Sequence, residues 1–221
     1  ALFMLDAIQG LGAFKIDVHA TGVDFLAADG HKWMLSPEGA GLFYLRREHL
    51  DLLQPLGVGW NSLAGGSFDP NSLQLKATAA RYEGGSTNMP GMLALHESLS
   101  LLHQLHLGTA GDAASDNSTS DNSPIARAVL AGTNQLAERL QQHGFRTHLP
   151  ADPQRRSGIL CISWPANLGA ASDLPESVAL AARKHCLAAG VVLSVRGGRL
   201  RASTHAYNNE QDIERLVDAL V

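Results

Sequence analysis

The chain has 221 residues, of which 45% are hydrophobic and 17% are charged, and its formal net charge is -4. This length is enough for one or two domains with a buried core, and the composition excludes a disordered tail. The small negative charge also argues against an electrostatic nucleic-acid-binding protein.

The cysteine content and the apolar runs give an expectation for the cellular compartment. Cys161 and Cys186 lie far apart, so they form neither a disulfide framework nor a CxxC metal motif, and we interpret both as small core residues. The sequence has no apolar run of membrane-span length and no secretory signal. We therefore expect a cytoplasmic protein in a reducing compartment, without membrane or nucleic-acid partners.

Short strand-like runs alternate with turns at the start of the chain. They cover residues 1–5, 23–29 and 41–46, and a helix-like pattern follows in residues 47–53. The alternation predicts an α/β arrangement. The first run is apolar throughout, which is typical of a parallel strand covered on both faces. Because the sequence starts inside this run, we expect the natural protein to begin earlier.

A helix and a polar loop follow the first strands. Residues 61–80 predict a long loop, and residues 92–108 have apolar positions at helical spacing and end at a glycine. Residues 109–124 are rich in Ser, Asn and Asp and predict a mobile surface loop. This loop separates a first domain, 1–108, from a second domain, 125–221.

The second domain has the pattern of helices over a small sheet. Helices are predicted at about residues 126–143, 176–189 and 211–221, and strands at "FRTHL", "GILCISW", "VVLSV" and "RLRAS". This is an α+β arrangement. Asn208 with Gln211 three residues later predicts a capping box for the last helix, and Gly197-Gly198 predicts a hairpin turn.

Two stretches carry side chains that are suited to catalysis or ligand binding. Asp6 ends the first strand, at the sheet edge where α/β proteins bind ligands, and Gln9 follows it by three positions. Lys32 lies in "GHKWML", where apolar neighbours favour the neutral amine that forms a Schiff base. Taken alone, Asp6 is better explained as a turn cap and Lys32 as a lysine on a solvated turn.

These stretches belong to a larger set of motifs. In chain order the set is Asp6-x-x-Gln9, "GHKW" from Gly30, "PEGAG" from Pro37, "RYEGGSTN" from Arg81 and "RASTHAYN" from Arg201. Together they resemble the class V aminotransferases. These are pyridoxal-phosphate enzymes of fold type I, a group that includes cysteine desulfurases, selenocysteine lyases and isopenicillin N epimerase-like proteins. The resemblance extends from Leu5 to Leu220.

The resemblance implies a fold and a role for each residue near the cofactor. The fold would be the C-terminal part of a fold type I large domain, with a mostly parallel sheet and helices, followed by a small α+β domain. Lys32 would hold pyridoxal 5'-phosphate as an internal aldimine and move a proton at the substrate α-carbon. Asp6 would pair with the pyridine nitrogen, and Gln9 would donate a hydrogen bond to the phenolate oxygen.

The remaining roles concern the phosphate and the substrate. His31 resembles the residue beside the phosphate, and Thr87 resembles the one that reaches the phosphate of the neighbouring subunit, which implies a homodimer. Arg201 resembles the arginine that binds the carboxylate of an amino-acid substrate, although a strand-surface arginine is an alternative. We leave Arg81 and Glu83 out of the site, as a structural ion pair.

Three features depart from the family pattern. Asp29 occupies the position of a phosphate-binding serine, where a carboxylate repels phosphate unless it points away. The region before Arg201 has no cysteine, which disfavours a desulfurase that forms a persulfide and leaves a lyase that releases sulfur or selenium directly. The family's long N-terminal segment is also missing from this sequence. A fragment that folds without productive cofactor binding is therefore the alternative to an active aminotransferase or lyase.

Metal binding has little support in the sequence. His103 and His106 are one helical turn apart, but no third ligand is evident. We therefore predict no metal site.

Overall fold

The computed structural model describes residues 1–65, 73–107, 123–165 and 175–221. The chain divides into two units, Ala1–Leu105 and His106–Val221. The predicted polar loop 109–124 lies outside the described residues except for its last two positions. The predicted domain limits at 108 and 125 therefore stay a prediction.

The first unit contains a three-stranded sheet. Its strands are β1 (Met4–Asp6), β2 (Phe25–Asp29) and β3 (Gly41–Leu45), in the order β1-β2-β3. β1 runs parallel to β2 and β3 runs antiparallel to it. Leu26 and Ala28 of β2 are buried on one face, while Asp6 and Asp29 come at the carboxyl ends of the parallel pair. The α/β prediction for this part of the chain is confirmed.

β1 differs from the prediction in its burial. Leu2, Phe3 and Met4 are 55%, 47% and 53% exposed, although the apolar run predicted a strand covered on both faces. Within the described residues, β1 pairs with β2 alone, so one edge and much of its surface have no cover. The parallel pairing is confirmed, and the prediction of cover on both faces is wrong for this chain.

The connecting segments of the first unit contain short 3-10 helices where a longer helix and a loop were predicted. The predicted helix at residues 47–53 is replaced by a single 3-10 turn, Arg47–His49. The predicted loop 61–80 contains a bridge between Leu63 and Leu75, and two short 3-10 helices flank it, Trp60–Ser62 and Ala79–Tyr82. The long helix α1 (Met89–Leu107) is present and begins three residues before its predicted start.

Asp24 joins the start of the sheet to its far strand. Its carboxylate accepts a hydrogen bond from the Phe3 backbone N–H at 2.8 Å and lies 2.9 Å from Nε2 of His49. Arg46 lies 3.6 Å away. The hydrogen bond from Phe3, followed by the contact with His49, lowers the pKa of Asp24. Folding therefore favours the carboxylate form.

Replacing Asp24 by Asn is expected to lower the urea midpoint of unfolding at neutral pH. A carboxyl group whose pKa is lowered by folding contributes stability above its unfolded pKa and loses that contribution as the pH falls through its folded pKa. The difference between wild type and Asp24→Asn should therefore shrink in acid. Urea unfolding curves from neutral to acid pH measure it, and a difference independent of pH would contradict the ion network.

The second unit is an antiparallel sheet with helices. Its elements, in chain order, are α2 (Pro124–Gln142), β4 (Arg146–His148), β5 (Ile159–Ser163), α3 (Glu176–Ala188), β6 (Ser194–Arg196), β7 (Arg199–Ser203) and α4 (Glu210–Asp218). The strand order is β4-β5-β7-β6, with every neighbouring pair antiparallel. The predicted α+β arrangement is confirmed, with β6 shifted towards the end of the run "VVLSV".

One face of this sheet forms the hydrophobic core with the helices. The core includes Leu160, Ile162 and Leu200 from the strands, together with Leu136 of α2 and Cys186 of α3. Burial raises the pKa of the Cys186 thiol, as expected for a core cysteine.

Cys161 does not join this core. It lies between Leu160 and Ile162 on β5, and side chains on a strand alternate between faces. Cys161 therefore points to the opposite face, where it is half-buried. The core interpretation is confirmed for Cys186 and wrong for Cys161.

Two local predictions in the second unit have different outcomes. The cap of α4 is Asn209 instead of Asn208, because Asn209 Oδ1 accepts from the Asp212 N–H at 3.1 Å and Asp212 accepts from the Asn209 N–H at 3.2 Å. Asn208 accepts from the His205 N–H instead. The predicted hairpin at Gly197 and Gly198 is confirmed, with φ values of 54° and 71°, which glycine adopts without strain.

Candidate functional site

Asp6 and Asp29 end neighbouring parallel strands. Oδ1 of Asp6 accepts a hydrogen bond from the Ile8 N–H at 3.1 Å, so Asp6 caps the following turn. Within the described ranges, its second oxygen has no hydrogen-bond partner and the side chain is exposed. Asp6 therefore shapes the turn and still has an oxygen available for a ligand.

A shallow depression lies beside these strand ends. Its volume is about 450 Å³, and Asp6, Asp29 and Glu83 line it. Gln9 and Lys32 do not line it. Three carboxyl groups on one surface favour a cationic group and oppose a phosphate.

The loop that carries Lys32 is closed by backbone hydrogen bonds. The Gly30 N–H donates to Ala40 O at 2.7 Å, and the Ser36 N–H donates to Gly30 O at 2.9 Å. A Cβ on Gly30 would lie 2.7 Å from Ala40 O and 2.8 Å from the Ser36 Cβ. The glycine before "HKW" is therefore required for the loop to close.

Helix α1 holds the same loop from one side. Ser98 donates to Leu35 O at 2.9 Å, and the Asn88 side-chain amide donates to Gly39 O at 3.1 Å. Leu35 has a φ of 58°, which is uncommon for a residue other than glycine. The Asn88 contact also joins the "RYEGGSTN" motif to the lysine loop, so two of the sequence motifs meet here.

The loops after β1 and β2 touch each other through Trp33. Its indole Nε1–H donates to Oε1 of Gln9 at 3.1 Å, and the side chain is only 5% exposed. Gly12 packs against the Trp33 backbone so closely that a Cβ on Gly12 would lie 2.5 Å from Trp33 O. These contacts bring together Gln9 and the loop of Lys32.

Lys32 itself is half-buried. In the part of the chain that the structure describes, its ammonium group has no hydrogen-bond or ion-pair partner. A long cationic side chain at a buried edge usually acquires such a partner. Lys32 is therefore available for a ligand.

Replacing Gly12 by Ala is expected to destabilise the protein by about 1–3 kcal/mol, because the new Cβ must displace the Trp33 backbone. Gly22→Ala is the matched control. Gly12 and Gly22 both have positive φ, 99° and 69°, but the space around Gly22 is open. Urea unfolding measures both variants. Equal losses would mean that backbone strain, and not contact with the lysine loop, determines the effect.

Asp29 is directed towards His31. Its Oδ1 lies 3.0 Å from Nδ1 of His31, and the side-chain contact with His31 lowers the pKa of Asp29. The Asp29 carboxylate therefore points towards the His31 ring, and Nε2 is the ring nitrogen of His31 that is left to face an anion.

Thr87 and Arg81 belong to one motif and have different environments. Thr87 is exposed, two positions before α1, and its contact with a neighbouring subunit stays a prediction. Arg81 is buried, donates to Lys76 O and Leu50 O at 2.7 and 2.9 Å, and lies 3.5 Å from Asp51. The predicted ion pair with Glu83 is therefore wrong, although the structural role of Arg81 is confirmed.

Arg201 lies in the second unit, on the sheet face opposite the core. A polar row crosses the strands there, because His148 is opposite Cys161, Cys161 is opposite Arg201, and Arg201 is opposite Ser194. Within the described residues, Nε of Arg201 and Oγ of Ser194 are buried without a hydrogen-bond partner. A buried donor without a protein partner is uncommon, and such a group is ordinarily satisfied by water, an ion or a ligand.

More positive charge surrounds Arg201. Arg199 is two positions before it on the same face of β7 and is opposite Arg196, although like charges across a strand pair are unfavourable. Partial desolvation, followed by the charges of Arg199 and Arg146, lowers the pKa of His148. This face therefore favours an anion.

The contact made by Trp33 and the position of Arg199 are two features that the sequence motifs did not reveal. The contact between Trp33 and Gln9 joins residues 24 positions apart, for which one sequence has no signal. The position of Arg199 is different, since the alternation of β7 already places it on the face of Arg201.

Within the described ranges, no three His, Cys, Asp or Glu side chains come together in a way that could hold a metal ion. In the same ranges, no helix is long and apolar enough to cross a lipid bilayer.

Comparison with curated proteins gives relatives across the whole chain. A probable cysteine desulfurase of Methanothermobacter thermautotrophicus is 27% identical over 100% of this chain and 52% of its own length. The isopenicillin N epimerase of Streptomyces clavuligerus is 29% identical over 98% of this chain and 51% of its own length. The chain therefore spans about half the length of the curated relatives it matches.

Comparison with solved structures and family models gives a consistent result. The apo structure of a cysteine desulfurase from Thermococcus onnurineus matches 100% of this chain and 52% of its own, with a TM-score of 0.78 and 22% identity. This similarity confirms the predicted fold type I architecture. The model of the family described as aminotransferase class-V matches residues 1–216. The chain belongs to the class-V aminotransferase family.

Proposed function

We propose that this chain is part of a pyridoxal-phosphate enzyme that acts on an amino acid, as an aminotransferase or a lyase, with Lys32 as its reactive amine. Pyridoxal 5'-phosphate is the cofactor of the family. The observation that carries the proposal is the contact between Trp33 and Gln9, which brings the loop of Lys32 against the loop after β1.

The groups present fit the ring end of the cofactor. Lys32 has an amine without a partner, Gln9 has an amide nitrogen without a partner, and Asp6 has a carboxylate oxygen without a partner within the described residues. When bound, pyridoxal phosphate supplies an aldehyde that combines with amines and a ring that accepts electrons. An amine, an amide donor and a carboxylate are the residue types that such a ring requires.

Each residue would then have a defined role. The Asp6 carboxylate would hold the protonated ring nitrogen, and the Gln9 amide would donate a hydrogen bond to the ring's phenolate oxygen. Lys32 would hold the cofactor through its amine and would remove and return the proton at the substrate α-carbon. The acidic depression that Asp6 lines supports a cationic ring nitrogen on this side.

Arg201 is the proposed holder of the substrate carboxylate. Its unpartnered Nε and the surrounding positive face support an anionic ligand, and a guanidinium binds a carboxylate through two parallel hydrogen bonds. Arg201 has this role, and not merely that of a surface arginine on a strand, only if the cofactor reacts at Lys32.

The phosphate would be held by His31 and by Thr87 of a neighbouring subunit. Nδ1 of His31 lies 3.0 Å from Asp29, which leaves its second nitrogen to face an anion, while Thr87 is exposed two positions before α1. This arrangement requires a homodimer. The homodimer and the cytoplasmic location both stay predictions.

A lyase that cleaves a carbon–sulfur bond is the second candidate. The relatives that carry the name cysteine desulfurase favour it. The hairpin between β6 and β7 has glycines and no cysteine, so this chain offers no thiol there to take up sulfur. The form of the reaction would therefore be direct release of the sulfur.

Cofactor trapping tests the proposal. The purified protein is mixed with pyridoxal 5'-phosphate, the absorbance spectrum is recorded, and the sample is reduced with borohydride, digested and analysed by mass spectrometry. We expect a visible absorbance band that changes on adding an amino acid, and the reduced cofactor on Lys32. Lys184→Ala, which alters an exposed lysine of α3, is the control and should retain the label at Lys32.

The opposite results identify the fragment alternative. A colourless protein in excess cofactor, or a label spread over exposed lysines without preference for Lys32, would mean that the chain folds without productive cofactor binding. Assays for keto acid, sulfide and alanine on a panel of amino acids then separate transamination from carbon–sulfur cleavage.

A further inference from the structure

We propose that Trp33 is a positioning residue that fixes the orientation of the Gln9 amide, so that its nitrogen and not its oxygen faces the cofactor ring. The inference rests on the proposed function, because it assigns a task to Trp33 within the same site. Trp33 directly follows Lys32 in the sequence, and its indole contacts Gln9 in the loop after β1.

The chemistry of the two side chains determines the orientation. An amide oxygen and nitrogen have nearly the same shape, and only their hydrogen-bond partners distinguish them. The Trp indole nitrogen donates and cannot accept a hydrogen bond. The Gln9 atom that lies 3.1 Å from Nε1 of Trp33 must therefore be the oxygen.

The nitrogen of the same amide is then left on the other side. Within the described residues, Nε2 of Gln9 has no hydrogen-bond partner, and it is not among the fully buried polar atoms that lack one. Its two N–H groups are available to an oxygen with negative charge, such as a phenolate. A reversed amide would present its oxygen to that phenolate, and the two acceptors would repel each other.

Trp33 is itself held in place. It is 5% exposed and the following Met34 is 1% exposed, and its backbone carbonyl meets Gly12. The indole therefore cannot turn away without disturbing the core of the first unit. Since Lys32 precedes it directly, one rigid turn sets both the amine and the orientation of the amide.

The hydrogen bond can be tested without cofactor by NMR. The chain has three tryptophans, so three indole N–H signals are expected, and Trp33→Phe identifies the one from Trp33. Gln9→Met keeps the length of the side chain but removes the acceptor. We expect it to shift the Trp33 indole signal and to speed its hydrogen exchange, leaving the Trp60 and Trp164 signals in place. An unchanged Trp33 signal would overturn the proposal.

The positioning role is tested by cofactor affinity. Trp33→Phe keeps an aromatic ring but removes the donor, and we expect the Kd for pyridoxal 5'-phosphate to rise by about 2- to 10-fold, the effect of one oriented hydrogen bond. The pH midpoint of the visible absorbance band should move in the same variant. Trp60→Phe, at an exposed tryptophan of the first unit, is the matched control and should change neither value.

A double-mutant cycle separates positioning from packing. If Trp33 acts through Gln9, Trp33→Phe should have no further effect on Kd in a Gln9→Met background. A purely structural role would give the same loss in both backgrounds and would overturn the proposal. Failure of the wild-type protein to bind cofactor would overturn the proposed function, and this role with it. Binding with additive losses would overturn the positioning role alone.

Discussion

On the proposed function, replacing Lys32 by Ala is expected to lower amino-acid turnover by about 10³-fold or more, because the variant would lack both the amine for the cofactor aldehyde and the group that moves the proton. The free energy of unfolding should change by less than about 0.5 kcal/mol, as for a side chain without partners. Lys32 has no hydrogen bond or ion pair within the described residues. Steady-state kinetics and urea unfolding measure the two effects.

Two further variants make this result specific. Lys32→Arg retains the positive charge, but a guanidinium stays protonated and cannot form a Schiff base, so it should be as inactive as Lys32→Ala. Lys184→Ala removes an exposed lysine of α3 and should retain full turnover. An active Lys32→Arg would mean that position 32 supplies charge and not an amine, and would contradict the proposed chemistry.

The site could be predicted from sequence where its residues follow strand ends. Asp6 and Asp29 directly follow apolar runs that form the parallel pair β1 and β2, and the carboxyl ends of parallel strands meet at one edge. The hairpin at Gly197 and Gly198 was equally accessible, because two adjacent glycines between strands satisfy the positive φ values of a tight turn. In both cases the signal is local in the chain.

The errors arise where a partner is distant or carries no sequence signal. Arg81 binds backbone carbonyls, and because every residue has one, the sequence does not mark these partners. The prediction paired Arg81 with the nearby carboxylate of Glu83 instead. Asn208 and Asn209 are adjacent and identical, and only the position of Asp212 decides which one caps α4. The exposure of β1 depends on the neighbours that cover it, and these cannot be inferred from its own residues.

The half-buried position of Cys161 shows a different limit of prediction from the sequence. Its strand has apolar residues on both sides in sequence, and such a run does not tell which face is the core. The register with β7 places it opposite Arg201, on the face that carries the unpartnered donor. The same alternation that moves Cys161 out of the core also gathers Arg201 and Arg199 on one surface.

Replacing Arg81 by Met is expected to cost about 2–4 kcal/mol of unfolding free energy, because the Lys76 and Leu50 carbonyls lose a buried charged donor. Arg81 is 8% exposed, whereas its ionic partner Asp51 is 99% exposed, so the ion pair itself adds little. Urea unfolding measures the loss. Arg47→Met, at an exposed arginine of the first unit, is the control and should cost less than about 0.5 kcal/mol.

Arg81→Met also tests whether Arg81 only stabilises the fold or also affects cofactor binding through the rest of the motif "RYEGGSTN". Arg81 fixes the segment that leads to Thr87 and to the start of α1, where Asn88 contacts the lysine loop. If Arg81 is purely structural, the folded Arg81→Met protein should bind pyridoxal 5'-phosphate with the wild-type Kd, while a larger fraction is unfolded. A raised Kd in the fully folded variant would instead mean that the position of the lysine loop depends on Arg81 through Asn88, and that this arginine belongs to the machinery that orients the cofactor.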